Sequence, residues 1–249
     1  MRDTAFLKEL LEEQGIILDP PKYGQLEAYY ELLIDWNSRM NLTAITDWKE
    51  ACEKHFLDSL YLSCYEDISP EDTILDVGTG AGFPGIPLKI AFPDTEITLL
   101  DSLEKRVTFL NAVINELDLK GIYAVHSRAE DFVSAPVPGN KSQNKKRTAR
   151  GCYDLVVSRA VANLSTLSEY CLPFVKTEGL FVAYKGKAPD DEVKDAEKAI
   201  EILGGAAERI ECYDLPSGDE RSLVFIRKET PTPAKYPRKA GIPAKKPIV

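Results

Sequence analysis

Apolar residues recur at helical spacing through the first part of the chain and in short strand-like runs after it. Phe6, Leu7, Leu10 and Leu11 make one stripe, and Leu26, Tyr30, Leu33 and Ile34 make a second. The second follows Asp19-Pro20-Pro21, where an acid before proline suits a helix start. Asp47-Trp48-Lys49-Glu50 opens a third helix like a capping box and places Cys52, Phe56 and Leu60 on one face. These patterns predict a helical extension over residues 1–68. On its third helix His55 and Asp58 stand three apart, so the carboxylate is placed to orient the imidazole, as a structural pair or at a surface beside the next unit.

From Glu71 onward strands and helices alternate. Strands are expected at Thr73 to Val77, Glu96 to Leu100, Ile122 to His126, Asp154 to Ser158 and Gly179 to Tyr184. Helices are expected at Ile86 to Ala91, Glu104 to Leu117, Asn163 to Tyr170 and Asp190 to Leu203. That order implies a doubly wound, mainly parallel sheet of the α/β class. Two further strand-like runs, Glu208 to Tyr213 and Ser222 to Arg227, flank Pro216-Ser217-Gly218-Asp219 and predict a closing antiparallel hairpin. The α/β unit is bounded at 69–229, with a basic loop at 135–151 and a basic tail at 230–249.

The stretch Leu75 to Gly85 joins the first strand to a helix through glycines that let a ligand approach the backbone. Two frames fit it. Gly80, Gly82 and Gly85 match the dinucleotide fingerprint, with Asp101 as the ribose acid of the next strand. Asp76, Gly78, Gly80 and Gly82 instead match the acid-glycine turn of class I S-adenosylmethionine methyltransferases. Charge favours the second frame. A carboxylate at Asp76 opposes a pyrophosphate, whereas S-adenosylmethionine carries a sulfonium and an ammonium and no phosphate. An NAD oxidoreductase would also need a substrate domain, for which no residues remain.

Ligands of open α/β sheets bind outside the carboxyl ends of the strands. Those ends carry Asp76 with its glycines, Asp101-Ser102, Ala129-Glu130-Asp131, Ser158-Arg159 and Lys185-Gly186. Asp101 suits ribose hydroxyls, while Ala129 and Glu130 suit adenine, with helix capping the plainer role for Glu130 and Asp131. Arg159 is placed to hold RNA phosphate or the target base, or to pair with Asp154 or Asp131. Arg159 and Lys185 are also the candidates for positioning the acceptor.

The formal charge of -9 conceals a local imbalance. Lys141, Lys145, Lys146, Arg147 and Arg150 lie in an acid-free stretch, as do Lys235, Arg238, Lys239, Lys245 and Lys246. Such segments suit contact with phosphate, with solvated, mobile chain as the alternative. Lys145, Lys146, Arg147, Arg150, Lys235, Arg238 and Lys239 are the RNA-binding candidates. Five scattered cysteines without a C-x-x-C pair suit a reducing cytoplasm, and with only two histidines no metal site is expected. No run approaches the length of a membrane span.

With these residues in place the chain resembles one family along most of its length, the bacterial small-subunit (16S) ribosomal RNA guanine-N7 methyltransferases, also called methyltransferase G or glucose-inhibited division protein B. The resemblance rests on Met40 to Ile45, His55 to Leu60, Leu75 to Gly85 with Phe83-Pro84-Gly85, and Leu100-Asp101-Ser102 with Lys105-Arg106. It continues through Ala129-Glu130, Val157 to Ala160 and Lys235 to Lys239. It implies a Rossmann-like fold, S-adenosylmethionine held at Gly78, Phe83, Ala129, Glu130 and Arg159, and direct methylation of a guanine in the 530 loop. Partners implied are 16S ribosomal RNA and the small subunit, with the chain acting as a monomer. A methyltransferase with a protein or small-molecule acceptor and a non-catalytic RNA-binding assembly factor are the alternatives. The chain departs from the family between Ala135 and Gly151, where the basic loop is expected to be disordered without RNA.

Overall fold

Successive side chains along a strand point to opposite faces, so Ile74 and Leu75, both fully buried, feed two separate cores. The structure is a computed structural model and describes residues 4–139, 148–160 and 162–248. Seven strands form one sheet: β1 (Thr73–Val77), β2 (Glu96–Asp101), β3 (Ile122–His126), β4 (Tyr153–Ser158), β5 (Val175–Lys185), β6 (Gly205–Asp214) and β7 (Glu220–Lys228). Their order is β3-β2-β1-β4-β5-β7-β6, with β7 alone antiparallel to both neighbours. The strand order therefore reverses between β1 and β4, which opens a crevice at their carboxyl ends.

Three predicted helices precede the sheet. α1 (Thr4–Glu13) and α2 (Pro20–Met40) follow their apolar stripes, α2 opening on prolines after Asp19. The third is not one regular helix. It runs as α3 (Trp48–Ala51), a π-helix (Cys52–Leu57), α4 (Asp58–Leu60) and a 3-10 turn (Tyr61–Cys64). Asp47 caps its start by accepting from Glu50 N–H at 3.0 Å. The widened turn suits a segment buried on more than one side: Phe56, Leu57 and Leu60 enter the core, and His55 and Asp58 face the strand ends.

α5 (Gly85–Ala91) and α6 (Glu104–Glu116) share one face of the sheet with the N-terminal helices in a single core. The opposite face holds α7 (Ala129–Phe132), α8 (Leu164–Cys171) and α9 (Asp190–Ile202). β5 begins four residues before its expected start. Its first residues, Val175 to Glu178, are mostly polar and follow a shift in pairing with β4 between Tyr153 and Leu155. β6 likewise starts at Gly205, where small residues carry no strand signal.

The tail is tied down. Arg238 grips the fully buried Glu169 carboxylate through its backbone N–H at 2.7 Å and its guanidinium at 2.5–3.0 Å, the short helix α10 (Ile242–Lys245) lies on α8, and Thr166 Oγ1 donates to Pro243 O at 3.3 Å. The tail is thus solvent-exposed along much of 230–248 and anchored at Thr232, Tyr236 and Pro243, which are buried. Among the described residues no helix is long and apolar enough to cross a membrane.

Candidate active site

The glycine turn is shaped from behind. Asp76 is fully buried, and its Oδ2 accepts from Thr79 Oγ1 at 2.6 Å and Gly85 N–H at 2.9 Å. Its Oδ1 has no partner. Burial raises the carboxyl to about 6, against the opposing pull of those two bonds and of Arg159. Gly82, at φ 104°, backs onto the N-terminal helices: a Cβ there would sit 2.5 Å from Ile86 Cδ1 and 2.8 Å from the Tyr29 hydroxyl. Tyr29 in turn donates to Ala81 O. Asp76 and Gly82 thus line none of the site cavities and shape the turn instead, whereas Gly78 is exposed at φ 73° on their floor.

Three adjoining cavities occupy the strand ends. The first, about 230 Å³, runs from Gly78 past Asp101 and Ser102 to Ala129 and Glu130, walled by Val77, Leu100, Leu167 and Tyr170. A second of about 290 Å³ lies over Gly80 and Phe83, beside Arg106 and Arg159. A third, an open cleft of about 750 Å³, holds His55, Asp58, Arg159, Lys185, Glu192 and Arg221. Ala160 lines all three.

Asp101 fastens the floor of the first cavity. Its Oδ2 accepts from Gly80 N–H at 2.9 Å and Arg106 Nη1 at 3.2 Å, and its Oδ1 accepts from Leu103 N–H at 2.8 Å. Each carboxylate oxygen accepts about two hydrogen bonds, so Oδ1 retains capacity toward the cavity. Glu130 Oε1 accepts Gly241 N–H at 3.0 Å, which brings the tail to the cavity rim. An apolar-walled slot with carboxylates at both ends and Gly78 on its floor fits a nucleoside bearing positive charge.

Arg159 does not pair with Asp154 or Asp131. Asp154 is held by Lys176 at 2.7 Å, and Arg159 Nη1 instead bonds Asp58 Oδ2 at 2.7 Å and Lys54 O at 3.0 Å. Its guanidinium lies 5.1 Å from the Phe83 ring centroid. Asp58 is therefore turned away from His55 and also accepts the Tyr213 hydroxyl at 2.9 Å. The His55 ring stacks on Phe83 at 4.3 Å and its Nε2 meets Thr43 Oγ1 at 2.9 Å. Burial, then the Arg159 charge, lowers its pKa to about 3, so His55 is neutral near pH 7.

Lys185 Nζ is bound to Glu192 Oε1 at 2.7 Å and Ala162 O at 2.9 Å, which fixes it as a wall of the cleft. The basic candidates divide. Lys235 and Lys239 are exposed, Arg238 is committed to Glu169, and Arg150 donates to Tyr236 O inside the molecule. Lys145, Lys146 and Arg147 lie outside the described residues. Sequence reasoning missed Tyr170 and Leu167, which lie inside the expected helix Asn163 to Tyr170, and Glu192, which lies in the acid run Asp190-Asp191-Glu192 at a helix start.

Fold and site together define a class I S-adenosylmethionine-dependent methyltransferase. Among solved structures the chain is similar to P. horikoshii TYW2 in complex with MeSAdo, with TM-score 0.51 and 13% identity over 68% of this chain and 61% of that one. It is similar too to M. jannaschii TYW2 in complex with AdoMet, with TM-score 0.50 and 12% identity over 64% and 70% of the two chains. These likenesses bear on fold alone. The profile of the GidB family, described as rRNA small subunit methyltransferase G, matches residues 22–224. A relative named ribosomal RNA small subunit methyltransferase G from Lachnoclostridium phytofermentans is 49% identical over 250 residues, 100% of this chain and 99% of the relative. One of the same name from Desulforamulus reducens is 51% identical over 246 residues, 98% of each. The chain belongs to the rRNA small subunit methyltransferase G family.

Proposed function

We propose that this chain transfers the methyl group of S-adenosylmethionine to N7 of a guanine in the 530 loop of small-subunit ribosomal RNA, acting as a monomer in the cytoplasm. Family membership supports donor and acceptor RNA. The residue-level assignment rests on one observation: an apolar-walled slot with Asp101 and Glu130 at its ends and a larger cleft lined by charged side chains adjoin at Ala160. Residues 69–229 carry this machinery, the helices of 1–68 complete the cleft through His55 and Asp58, and the tail of 230–249 braces it.

In the slot, Asp101, Ser102, Ala129 and Glu130 would hold the nucleoside of S-adenosylmethionine, with Asp101 as acceptor for ribose hydroxyls, and Gly78 would let the ligand approach the backbone. Phe83 and Arg159 form the boundary with the cleft. When bound, S-adenosylmethionine supplies an electrophilic methyl on a sulfonium that leaves as a neutral thioether. Guanine N7 carries an in-plane lone pair and no proton, so transfer needs no base or covalent nucleophile. The junction fits that requirement. His55 is neutral and engaged by Thr43, and Asp58 is committed to Arg159 and Tyr213. What the chain contributes is alignment, worth up to roughly 7 to 11 kcal/mol in favourable systems. Lys145, Lys146, Arg147, Lys235 and Lys239 hold RNA phosphates.

Labelled S-adenosylmethionine, incubated with unmodified small-subunit RNA both naked and in subunits and followed by cleavage at 7-methylguanosine, tests this directly. A single cleavage in the 530 loop is expected. No transfer to either form, with the cofactor still bound, would reassign the acceptor.

A further inference from the structure

Among the described residues two acids line the open cleft, and one of them has an oxygen without a protein partner. Asp58 has both committed, Oδ2 to Arg159 and Oδ1 to Tyr213. Glu192, in the first turn of α9, uses Oε1 twice, accepting Leu164 N–H at 2.6 Å and Lys185 Nζ at 2.7 Å. Both bonds orient the carboxylate, and Oε2 meets no partner among the described residues.

Three backbone acceptors of the cleft are also engaged. Lys54 O accepts from Arg159, Ala162 O from Lys185, and Gly186 O from Ser222 Oγ at 2.7 Å. In a cleft otherwise dominated by cations, a fixed carboxylate oxygen is thus left open. Such an oxygen seeks a donor, and RNA phosphate offers none.

Guanine does. Its N1–H and N2 amine both donate on the Watson–Crick edge, where adenine places an acceptor at N1. We infer that Glu192 Oε2 accepts from that edge of the target guanine and is a specificity-determining residue of the reaction proposed above, on which this inference rests. A base held by N1 and N2 keeps its far, N7-bearing edge free. The cleft meets the cofactor slot at Ala160 and Ala162, so that edge has a route to the methyl donor. The same contact rejects adenine at the cleft, because its N1 lone pair would oppose the carboxylate.

The test compares small-subunit RNA carrying guanine or inosine at the target position, with wild-type protein and Glu192→Gln. Inosine lacks only the N2 amine. Wild type is expected to lose about 10- to 100-fold in kcat/KM on inosine, the effect of one hydrogen bond to a charged acceptor. Glu192→Gln is expected to be slow on guanine and to show a guanine-to-inosine ratio near one, while binding S-adenosylmethionine like wild type. A Glu192 that only braces Lys185 would slow both RNAs alike and leave the wild-type ratio intact, which overturns the inference. Equal rates of wild type on the two RNAs overturn it without any variant. No transfer by wild type to the guanine RNA removes the parent reading as well.

Discussion

Asp76 and His55 are buried ionisable side chains on two walls of the same turn, and burial moves their protons in opposite directions. Asp76, raised to about 6, holds a proton in the folded chain that the unfolded chain has released, so it lowers stability as pH rises from about 4 to about 6. His55, lowered to about 3, is neutral in the folded chain when the unfolded chain is protonated, so it raises stability over about pH 3 to 6.5. The two slopes offset each other. Asp76→Asn is therefore expected to steepen the acid loss of stability, and His55→Gln to flatten it, each by on the order of 3 kcal/mol between pH 4 and 7. Urea unfolding of the three proteins at those pH values checks this; parallel profiles would mean that neither group is titrating as described. At this scale the sequence showed which residues gather but not which way they face. Acid-x-glycine spacing is the same whether Asp76 points at a ligand or, as here, at Thr79 and Gly85. His55 and Asp58 stood three apart as expected, yet Asp58 is captured by Arg159, a residue distant in sequence.

At the scale of elements, one buried ion pair is among the contacts that fasten the tail. Removing the guanidinium in Arg238→Ala leaves the Glu169 carboxylate buried and uncompensated, a loss on the order of 3 to 5 kcal/mol. Replacing both residues by methionine is expected to recover most of that loss, because packed apolar groups remove the need for compensation. Thermal unfolding of the single and double variants decides it, and a single variant as stable as wild type would show the latch to be idle. Strand and helix existence was legible from periodicity, with β1 and β3 matching their expected bounds. The π-helix at Cys52–Leu57 was not, since the four-residue spacing of Cys52, Phe56 and Leu60 fits an α-helix as readily as a wider turn. Within the basic tail the sequence did not separate a surface cation from a latch, because lysine and arginine carry the same charge in either place. Only the position of Glu169 separates Arg238 from Lys239.

Across the whole molecule, an acidic chain has to approach a polyanion, and its free cations determine how. Lys145, Lys146 and Arg147 sit in an acid-free segment, so replacing all three by alanine is expected to weaken RNA binding and reduce the slope of log affinity against log salt by up to about 0.9 per lost phosphate contact. Titrations at several salt concentrations measure it, and an unchanged slope would remove these residues from the interface. The strand and helix order, the closing hairpin and the presence of cavities at the strand ends were readable from order alone, because doubly wound sheets open a crevice there by topology. What order did not reveal is that residues of the first helices and of the sheet form one core.

That shared core has a consequence for anyone who would treat the sheet as a transplantable cassette. The Tyr29 hydroxyl that holds Ala81 O, and the Phe56 and Phe83 rings packed around Tyr29, belong to both sides of any cut near residue 69. A fragment starting there would retain every glycine and carboxylate of the turn and lose the template that gives the turn its shape.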